Sequence, residues 1–157
     1  MNYKLDTDTQ VFFYEQEFYV FSNFSAFTLL WDGKRMDTSE VAYHYEKFSG
    51  ASDIQRDLLN ATSSHAAYKL AQEHRDRARK DWNAVKVYVM SDILQAKVDQ
   101  HPYVKQKLLE TGDRELIEDS WRDDFWGWGE NEDGKNMLGK LWMQVRQGLQ
   151  YNDYFDD

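Results

Sequence analysis

Residues 31–48 read WDGKRMDTSEVAYHYEKF, and this stretch decides the fold class. Asp32-Gly33 is typical of a tight hairpin turn, because both residue types tolerate the positive φ that such turns require. The dipeptide therefore predicts a strand on each side of it. Asp37-Thr38-Ser39 predicts a helix start, because these side chains accept hydrogen bonds from the unpaired N–H groups of a first turn. The stretch thus predicts an antiparallel strand pair followed by a helix that runs to about Ser49.

The rest of the chain adds a few short strands to this pair. Strands favour aromatic and β-branched residues, and such segments predict five strands, of which two are the hairpin pair. They are Gln10–Tyr14, Phe18–Phe21, Phe27–Trp31, Lys34–Met36 and Glu115–Glu118. Together they predict one small antiparallel sheet near the N-terminus.

Capping residues and apolar periodicity predict five further helices. They lie at 52–61, where Ser52 and Gln55 resemble a capping box, at 63–78, after Asp81, from Pro102 to Gly112, and at 136–150. The last helix places Leu138, Leu141, Trp142, Val145 and Leu149 on one face, which predicts that this face is buried. The predicted class is α+β, a helix-dominated single domain.

Length and composition narrow the function classes. The 157 residues fit one domain over 1–157, and the lack of cysteine excludes disulfides, thiolate metal sites and a catalytic cysteine. The formal net charge of −9 disfavours broad binding to nucleic-acid phosphates. The N-terminus has neither the basic nor the apolar segment of a signal peptide, and no apolar run approaches the ~20 residues of a membrane span. We therefore expect a cytoplasmic protein without a membrane partner.

One face of the helix that begins near Asp37 is polar and aromatic. Glu40, Tyr43, His44 and Lys47 recur at helical spacing, where a helix packed on a core would carry aliphatic residues. The face is interpreted either as a pocket wall with an acid, a ring and a cation, or as a solvated surface with a Glu–Lys pair. Periodicity alone leaves both interpretations open. Glu40 also lies in the first turn, where the helix dipole favours an ionised carboxylate.

Two other segments carry candidate binding groups. Residues 121–129 read WRDDFWGWG, in which Gly permits close backbone approach and Trp offers flat faces. This segment either binds a ligand or tucks its Trp side chains into the core. Residues 74–82 read HRDRARKDW, a basic cluster on an acidic chain. Arg79 is favoured there for phosphate binding, whereas Arg75 and Lys80 are favoured as a solvated helix end.

Metal and nucleotide motifs are missing from the sequence. No pair of the four histidines has zinc-type spacing with a suitable carboxylate, and neither a P-loop nor a GxGxxG motif occurs. We expect neither a metal nor an organic cofactor.

Several segments in order resemble one known family. They are FSNF at 21–24, TSEVAY at 38–43 with Lys47-Phe48, RKDW at 79–82, Ala96-Lys97, Thr111-Gly112, DDFWGWG at 123–129, GKNMLG at 134–139 and MQVR at 143–146. Their order and spacing cover about Phe12 to Leu149, so the sequence is identified as a member of the NADAR family. Its bacterial YbiA-type members are N-glycosidases.

The resemblance implies a YbiA-like fold and a substrate class. YbiA-type members cleave the bond between ribose 5-phosphate and an amine, in early intermediates of riboflavin synthesis. Other members remove ADP-ribose from modified guanine in nucleic acid, or act in NAD and ADP-ribose metabolism. The expected partner is a small phosphorylated ribosyl or ADP-ribosyl substrate, and nucleic acid is expected only as an ADP-ribosylated substrate.

The resemblance also implies site residues. The catalytic residues would be Glu40, Asp123 and Trp82. The substrate-binding residues would be Asn23, Phe24, Tyr43, Lys47, Arg79, Trp126, Gly127 and Asn136. His44 and Trp128 differ from the residues usual in the family at these positions. The resemblance therefore does not identify the aglycone of the substrate.

Two carboxylates suit the cleavage of a ribosyl C–N bond. One stabilises the positive charge of an oxocarbenium-like transition state, and the other protonates the leaving nitrogen or activates water. Which role belongs to Glu40 and which to Asp123 stays open. The alternative is a non-catalytic module that binds ADP-ribose or a related nucleotide, although a pure anion binder gains nothing from two acids.

Overall fold

The structure is a computed structural model that describes residues 4–14 and 18–155. The chain divides into two compact units, a central unit of residues 23–100 and a terminal unit of residues 1–22 and 101–157. The fold is helix-dominated α+β, as predicted, with six α-helices and four short strands in the described part of the chain. The single domain over 1–157 stays a prediction.

The central unit begins with the predicted hairpin. Strands β2 (Leu29–Trp31) and β3 (Lys34–Met36) pair antiparallel, with Leu29 opposite Met36. Asp32 and Gly33 join them with φ values of 52° and 69°. Positive φ at both turn positions is the geometry that the Asp-Gly dipeptide predicts, so this part of the prediction is confirmed.

Four helices complete the central unit. They are α1 (Ser39–Lys47), α2 (Ser52–Leu59), α3 (Ser64–Glu73) and α4 (Trp82–Gln100), with a 3-10 turn at Arg75–Arg77. The Thr38 hydroxyl accepts a hydrogen bond from the Val41 N–H and caps α1, and Ser63 caps α3 in the same way. Helix α1 contacts α2, α3, α4 and both strands. Its side chains are therefore surrounded on several sides.

The predicted capping box of α2 is wrong. The helix starts as predicted at Ser52, but Ala51 occupies the cap position and no side chain caps the helix. The Gln55 side chain instead donates a hydrogen bond to the Tyr45 carbonyl of α1, at 3.0 Å. The Gln55 side chain therefore connects two helices and does not cap its own helix.

The terminal unit pairs two strands that are far apart in sequence. Strands β1 (Gln10–Phe13) and β4 (Glu115–Glu118) run parallel, with Val11 opposite Leu116. The predicted sheet was antiparallel, and this second, parallel pair was not predicted. Parallel strands need a long crossover, and nothing in the local sequence pattern identifies the partner strand.

The predicted strand Phe18–Phe21 is also wrong. Residues Tyr19–Phe21 form a 3-10 turn, closed by hydrogen bonds to the carbonyls of Phe18 and Tyr19. The Phe21 ring packs against Phe13 and Trp142. Burial of aromatic rings therefore explains this composition without strand pairing.

Two helices complete the terminal unit. Pro102 begins α5 (Pro102–Glu110), and Gly112 follows that helix with a φ of 63°. Helix α6 (Met137–Phe155) packs on β4 and α5, and its predicted inner face is buried. It runs five residues beyond the predicted end at Gln150. None of the helices in the described residues combines the length and apolar character needed to cross a bilayer.

Candidate active site

The polar face of α1 is buried within the central unit. Glu40 is 7% exposed, Tyr43 9% and His44 4%, while Lys47 is half-buried. The solvated-surface interpretation is therefore wrong for the first three residues. Acidic side chains are almost never buried without a partner, because removing a charge from water is costly. The face therefore has the features of a polar wall inside the fold.

Glu40 is held at both its backbone and its side chain. Its N–H donates to the Asn23 carbonyl at 3.0 Å. Its carboxylate Oε1 lies 2.7 Å from His44 Nε2, one helical turn away. Glu40 is also the acidic residue in the first turn of α1, where the helix dipole stabilises a negative charge. The geometry thus favours an ionised carboxylate with a fixed orientation.

Aromatic rings surround this carboxylate–imidazole pair. Trp82, the first residue of α4, is 6% exposed, and its ring centroid lies 4.9 Å from that of Tyr43. The His44 ring meets the rings of Tyr43 and Tyr68 edge-on, at 5.3 Å and 6.3 Å. Sequence analysis missed Tyr68, which lies four residues after Ser64 on the capped helix α3. Rings around a polar group are typical of sites that bind flat ligands.

Cations lie on the same unit. The pKa of Lys47 is lowered by burial, with the Glu40 charge opposing this effect and the Lys86 charge adding to it. Lys86 was not predicted, although it stands one helical turn after Trp82. Arg79 donates its backbone N–H to the Lys47 carbonyl, at 2.9 Å. Two neighbouring lysine charges that disfavour each other are suited to binding an anion.

Arg79 itself is already paired. Its guanidinium donates to both carboxylate oxygens of Asp81, at 2.6 and 2.9 Å, and this pairing raises the pKa of Arg79 and lowers that of Asp81. To bind a phosphate, the Arg79 guanidinium would have to share its N–H donors between Asp81 and the phosphate, or release Asp81. Arg77 in the same cluster pairs in this bidentate way with Asp53.

Asn23 and Phe24 precede the hairpin of the central unit. Asn23 is 8% exposed, its Nδ2 lies 3.6 Å from Met90 Sδ, and its buried Oδ1 has no hydrogen-bond partner within the described residues. A buried amide oxygen without a donor is uncommon and favours a position that a ligand contacts. Phe24 is 42% exposed.

The other predicted residues lie in the terminal unit, in the segment of residues 119–136 between β4 and α6. Asp123 Oδ1 accepts hydrogen bonds from the N–H groups of Phe125 and Trp126, at 2.9 and 2.8 Å. This carboxylate therefore shapes its own loop. Trp126 is half-buried, with its ring edge-on to that of Phe125.

Gly127 and Asn136 have clear roles in packing this unit. A Cβ on Gly127 would lie 2.9 Å from the carbonyl oxygens of Asp123 and Glu118. Asn136 accepts a hydrogen bond from the Glu118 N–H and donates one to the Leu116 carbonyl, so its amide is bonded to β4 at both ends. Substrate binding by these two residues stays a prediction.

The structure supports the packing interpretation of the Trp-rich segment in part, and ligand binding by this segment stays a prediction. Trp128 is half-buried, packs against Phe12 and donates its Nε1–H to Asp119. Trp121 is 44% exposed, with the Arg122 guanidinium 4.7 Å from its ring centroid. The segment therefore contains one Trp fixed in the loop and one that faces solvent.

Two other parts of the structure bear on the search for a site. A groove along α5, lined by Pro102, Lys105, Gln106, Leu109 and Glu110, lies on one helix and contains none of the predicted site residues. Within residues 4–14 and 18–155, no three His, Asp or Glu side chains are grouped in the way that a metal ion requires. The candidate site is therefore the group of acidic, imidazole, aromatic and lysine side chains around Glu40.

Comparison with known proteins identifies close relatives. The NADAR domain model matches residues 12–150. The N-glycosidase YbiA of Shigella boydii is 35% identical over 144 residues, covering 90% of this chain and 89% of that protein. A riboflavin biosynthesis protein of Vibrio vulnificus is 34% identical, over 89% of this chain and 38% of its own length. The NMR structure of Escherichia coli YbiA has a TM-score of 0.84 at 32% identity, covering 96% of this chain and 90% of that one.

Proposed function

This chain belongs to the NADAR domain family, and from that premise we propose that it hydrolyses the C–N glycosidic bond of a ribose-phosphate or ADP-ribose substrate. Relatives that match nearly their full length carry the name N-glycosidase. The enzyme class is therefore a hydrolase that acts on N-glycosyl bonds. The proposal concerns the residues that carry the reaction and the substrates that they accept.

The buried pair of Glu40 and His44 is the observation that carries the proposal. Cleavage of a ribosyl C–N bond develops positive charge on the sugar, and a fixed carboxylate in a water-poor site stabilises that charge strongly. Glu40 is buried, favoured as an anion by the helix dipole, and oriented by a 2.7 Å hydrogen bond. We assign it to oxocarbenium stabilisation or leaving-group protonation.

The neighbouring residues suit the two ends of such a substrate. The Trp82 and Tyr43 rings provide flat apolar surface for a base or a sugar. Lys47 and Lys86 provide positive charge for a phosphate, and the mutual repulsion of these lysines would be relieved by an anion. Phosphate binding of this kind positions the reacting carbon and contributes to rate as well as to affinity.

Asp123 is the proposed second acid, which would activate water. This assignment is supported by the family resemblance alone. The hydrogen bonds of Asp123 Oδ1 to two N–H groups of its own loop show a structural role for the side chain. A carboxylate has further acceptor positions, so this structural role leaves chemistry available to the side chain. The two roles are separable by substitution.

The test is a substrate panel with the full-length protein. A ribosylaminopyrimidine phosphate and an ADP-ribosylated guanosine are each incubated with the enzyme, and the products are identified by mass spectrometry. We expect release of ribose 5-phosphate from the first or of ADP-ribose from the second. The names of the relatives favour the first class, since one is a riboflavin biosynthesis protein.

The binding-module alternative predicts a different result from the same panel. Tight calorimetric binding of ADP-ribose, with no turnover of either substrate, would contradict the hydrolase and support a non-catalytic module. Turnover of either substrate would exclude that alternative.

A further inference from the structure

We propose that His44 is a positioning residue of this site, which fixes one oxygen of Glu40 so that the other oxygen is presented to the substrate. The inference rests on the proposed role of Glu40. It adds a residue that the sequence comparison with the family did not assign to catalysis or binding.

The geometry of the pair is that of a strong hydrogen bond. His44 Nε2 lies 2.7 Å from Glu40 Oε1, and the two side chains are 6% and 10% exposed. A hydrogen bond to an ionised group is shorter and stronger than a neutral one, and burial strengthens it further. Among the described residues, this is the one side-chain hydrogen bond that the carboxylate makes.

Other pairs with the same spacing show that burial is the unusual feature. Gln95 donates to Asp99 at 2.9 Å and Gln106 to Glu110 at 3.2 Å, and both pairs are exposed. Exposed pairs at this spacing contribute little to the stability of a helix. The His44 pair is instead buried, so water competes less strongly for either partner.

The imidazole has one hydrogen-bond partner and two ring contacts. When the Glu40 carboxylate is ionised it only accepts hydrogen bonds, and His44 Nε2 is then the donor of the pair. The other ring nitrogen, Nδ1, is buried without a partner within the described residues. The rings of Tyr43 and Tyr68 meet the imidazole edge-on and restrict its rotation. Among the residues that the structure describes, Glu40 is the one polar side chain that is hydrogen-bonded to the His44 imidazole.

This coupling makes a prediction about rate. A carboxylate that is free to rotate spends time in rotamers that do not face the developing charge, and misplacement by about 1 Å costs on the order of 10²-fold in rate. Loss of the Nε2 hydrogen bond therefore lowers kcat. It affects KM much less, because His44 acts through Glu40 and does not itself touch the substrate.

The experiment compares two amide variants that differ in reach. The His44→Gln side chain can donate to Glu40 from the i+4 position, as Gln and acidic residues do on helices, whereas the shorter His44→Asn side chain falls short of it. We expect His44→Asn to lower kcat about 10²-fold with KM changed less than about 3-fold, and His44→Gln to recover to within about 10-fold of wild type. Gln95→Ala, which removes an exposed pair of the same spacing, is the control and should match wild type.

The outcomes separate this inference from the proposed function. Equal kcat for wild type and both His44 variants, with Glu40→Gln inactive, would overturn the positioning role and leave the hydrolase intact. Equal losses in the Gln and Asn variants, with normal circular dichroism, would also overturn it, because they would show that the imidazole itself is required. Full activity of Glu40→Gln would instead overturn the proposed function.

Discussion

Glu40 and Asp123 are the two predicted catalytic acids, and their carboxylates have different kinds of hydrogen-bond partners. Glu40 is bonded to an imidazole on its own rigid helix and is buried by neighbouring helices of the central unit. Asp123 is bonded to two backbone N–H groups of a loop in the terminal unit. One acid is oriented by a side chain, and the other acid organises the backbone around it.

This difference determines what the protein loses when each acid is replaced. Removal of the Glu40 charge alters chemistry and leaves the backbone of α1 intact, since Thr38 caps that helix. Removal of the Asp123 oxygens alters the fold of the loop before any chemistry is tested. A loss of activity therefore has a direct interpretation at Glu40 and needs a stability measurement at Asp123.

The largest expected change in unfolding free energy is in the terminal unit, which contains Asp123. A Cβ on Gly139 would overlap the Leu116 carbonyl oxygen and crowd the Asn136 amide that is bonded to β4. We expect Gly139→Ala to lower the free energy of unfolding by about 3 kcal/mol or more, because overpacking against backbone cannot relax. Urea denaturation measures this. Gly148→Ala on the same helix meets no atom within 4 Å, so a similar loss there would contradict the steric explanation.

A smaller effect is expected at Asp123. The Asp123→Ala variant leaves the N–H groups of Phe125 and Trp126 without their acceptor, at a cost of about 1–3 kcal/mol of unfolding free energy. The Asp123→Asn variant keeps an oxygen in the same place and should unfold like wild type. If the acid also takes part in catalysis, Asp123→Asn will be stable and about 10²-fold slower. A stable and fully active Asn variant would contradict the catalytic prediction.

The smallest change in free energy, counted per pH unit, is expected at another ionisable group buried in the central unit. Lys97 is fully buried, its Nζ donates to Ser25 Oγ, and burial lowers its pKa to about 7. Between pH 7 and the ordinary value of 10.5, the unfolded chain binds this proton and the folded chain releases it. Unfolding free energy should therefore rise with pH in that window, by at most about 1.4 kcal/mol per pH unit.

Comparison with Lys97→Met measures this effect. The variant lacks the titrating group, so its advantage in unfolding free energy over wild type should be largest near about pH 6 and shrink toward about pH 10. A difference that stays constant with pH would show that Lys97 keeps its proton in the folded protein. Burial of a charge in the central unit would then cost less free energy than the lowered pKa of Lys97 implies.

Local patterns were predictable, and long-range contacts were not. The hairpin at Asp32-Gly33 and the Thr38 cap follow from the residues present, because each depends on neighbours in sequence. The parallel pairing of β1 with β4 and the use of Gln55 between helices depend on distant residues. No local pattern contains that information.

The candidate site was predictable to the same extent. The resemblance identified Glu40, Tyr43 and Trp82, which lie together in the central unit. Periodicity left the burial of the α1 face undecided, because burial depends on α2, α3 and α4 packing around it. The contacts of His44, Tyr68 and Lys86 required the structure, because sequence spacing does not give the burial of His44 or the packing of α3 and α4 on α1.

The rate of the Glu40→Gln variant tests the central claim most directly. Gln has nearly the same shape as Glu and lacks the charge, so the fold and the affinity for the product are expected to stay unchanged. We expect the rate of release of ribose 5-phosphate or ADP-ribose to fall by at least about 10²-fold, with a wild-type circular dichroism spectrum. Full activity in a normally folded Glu40→Gln protein would contradict it.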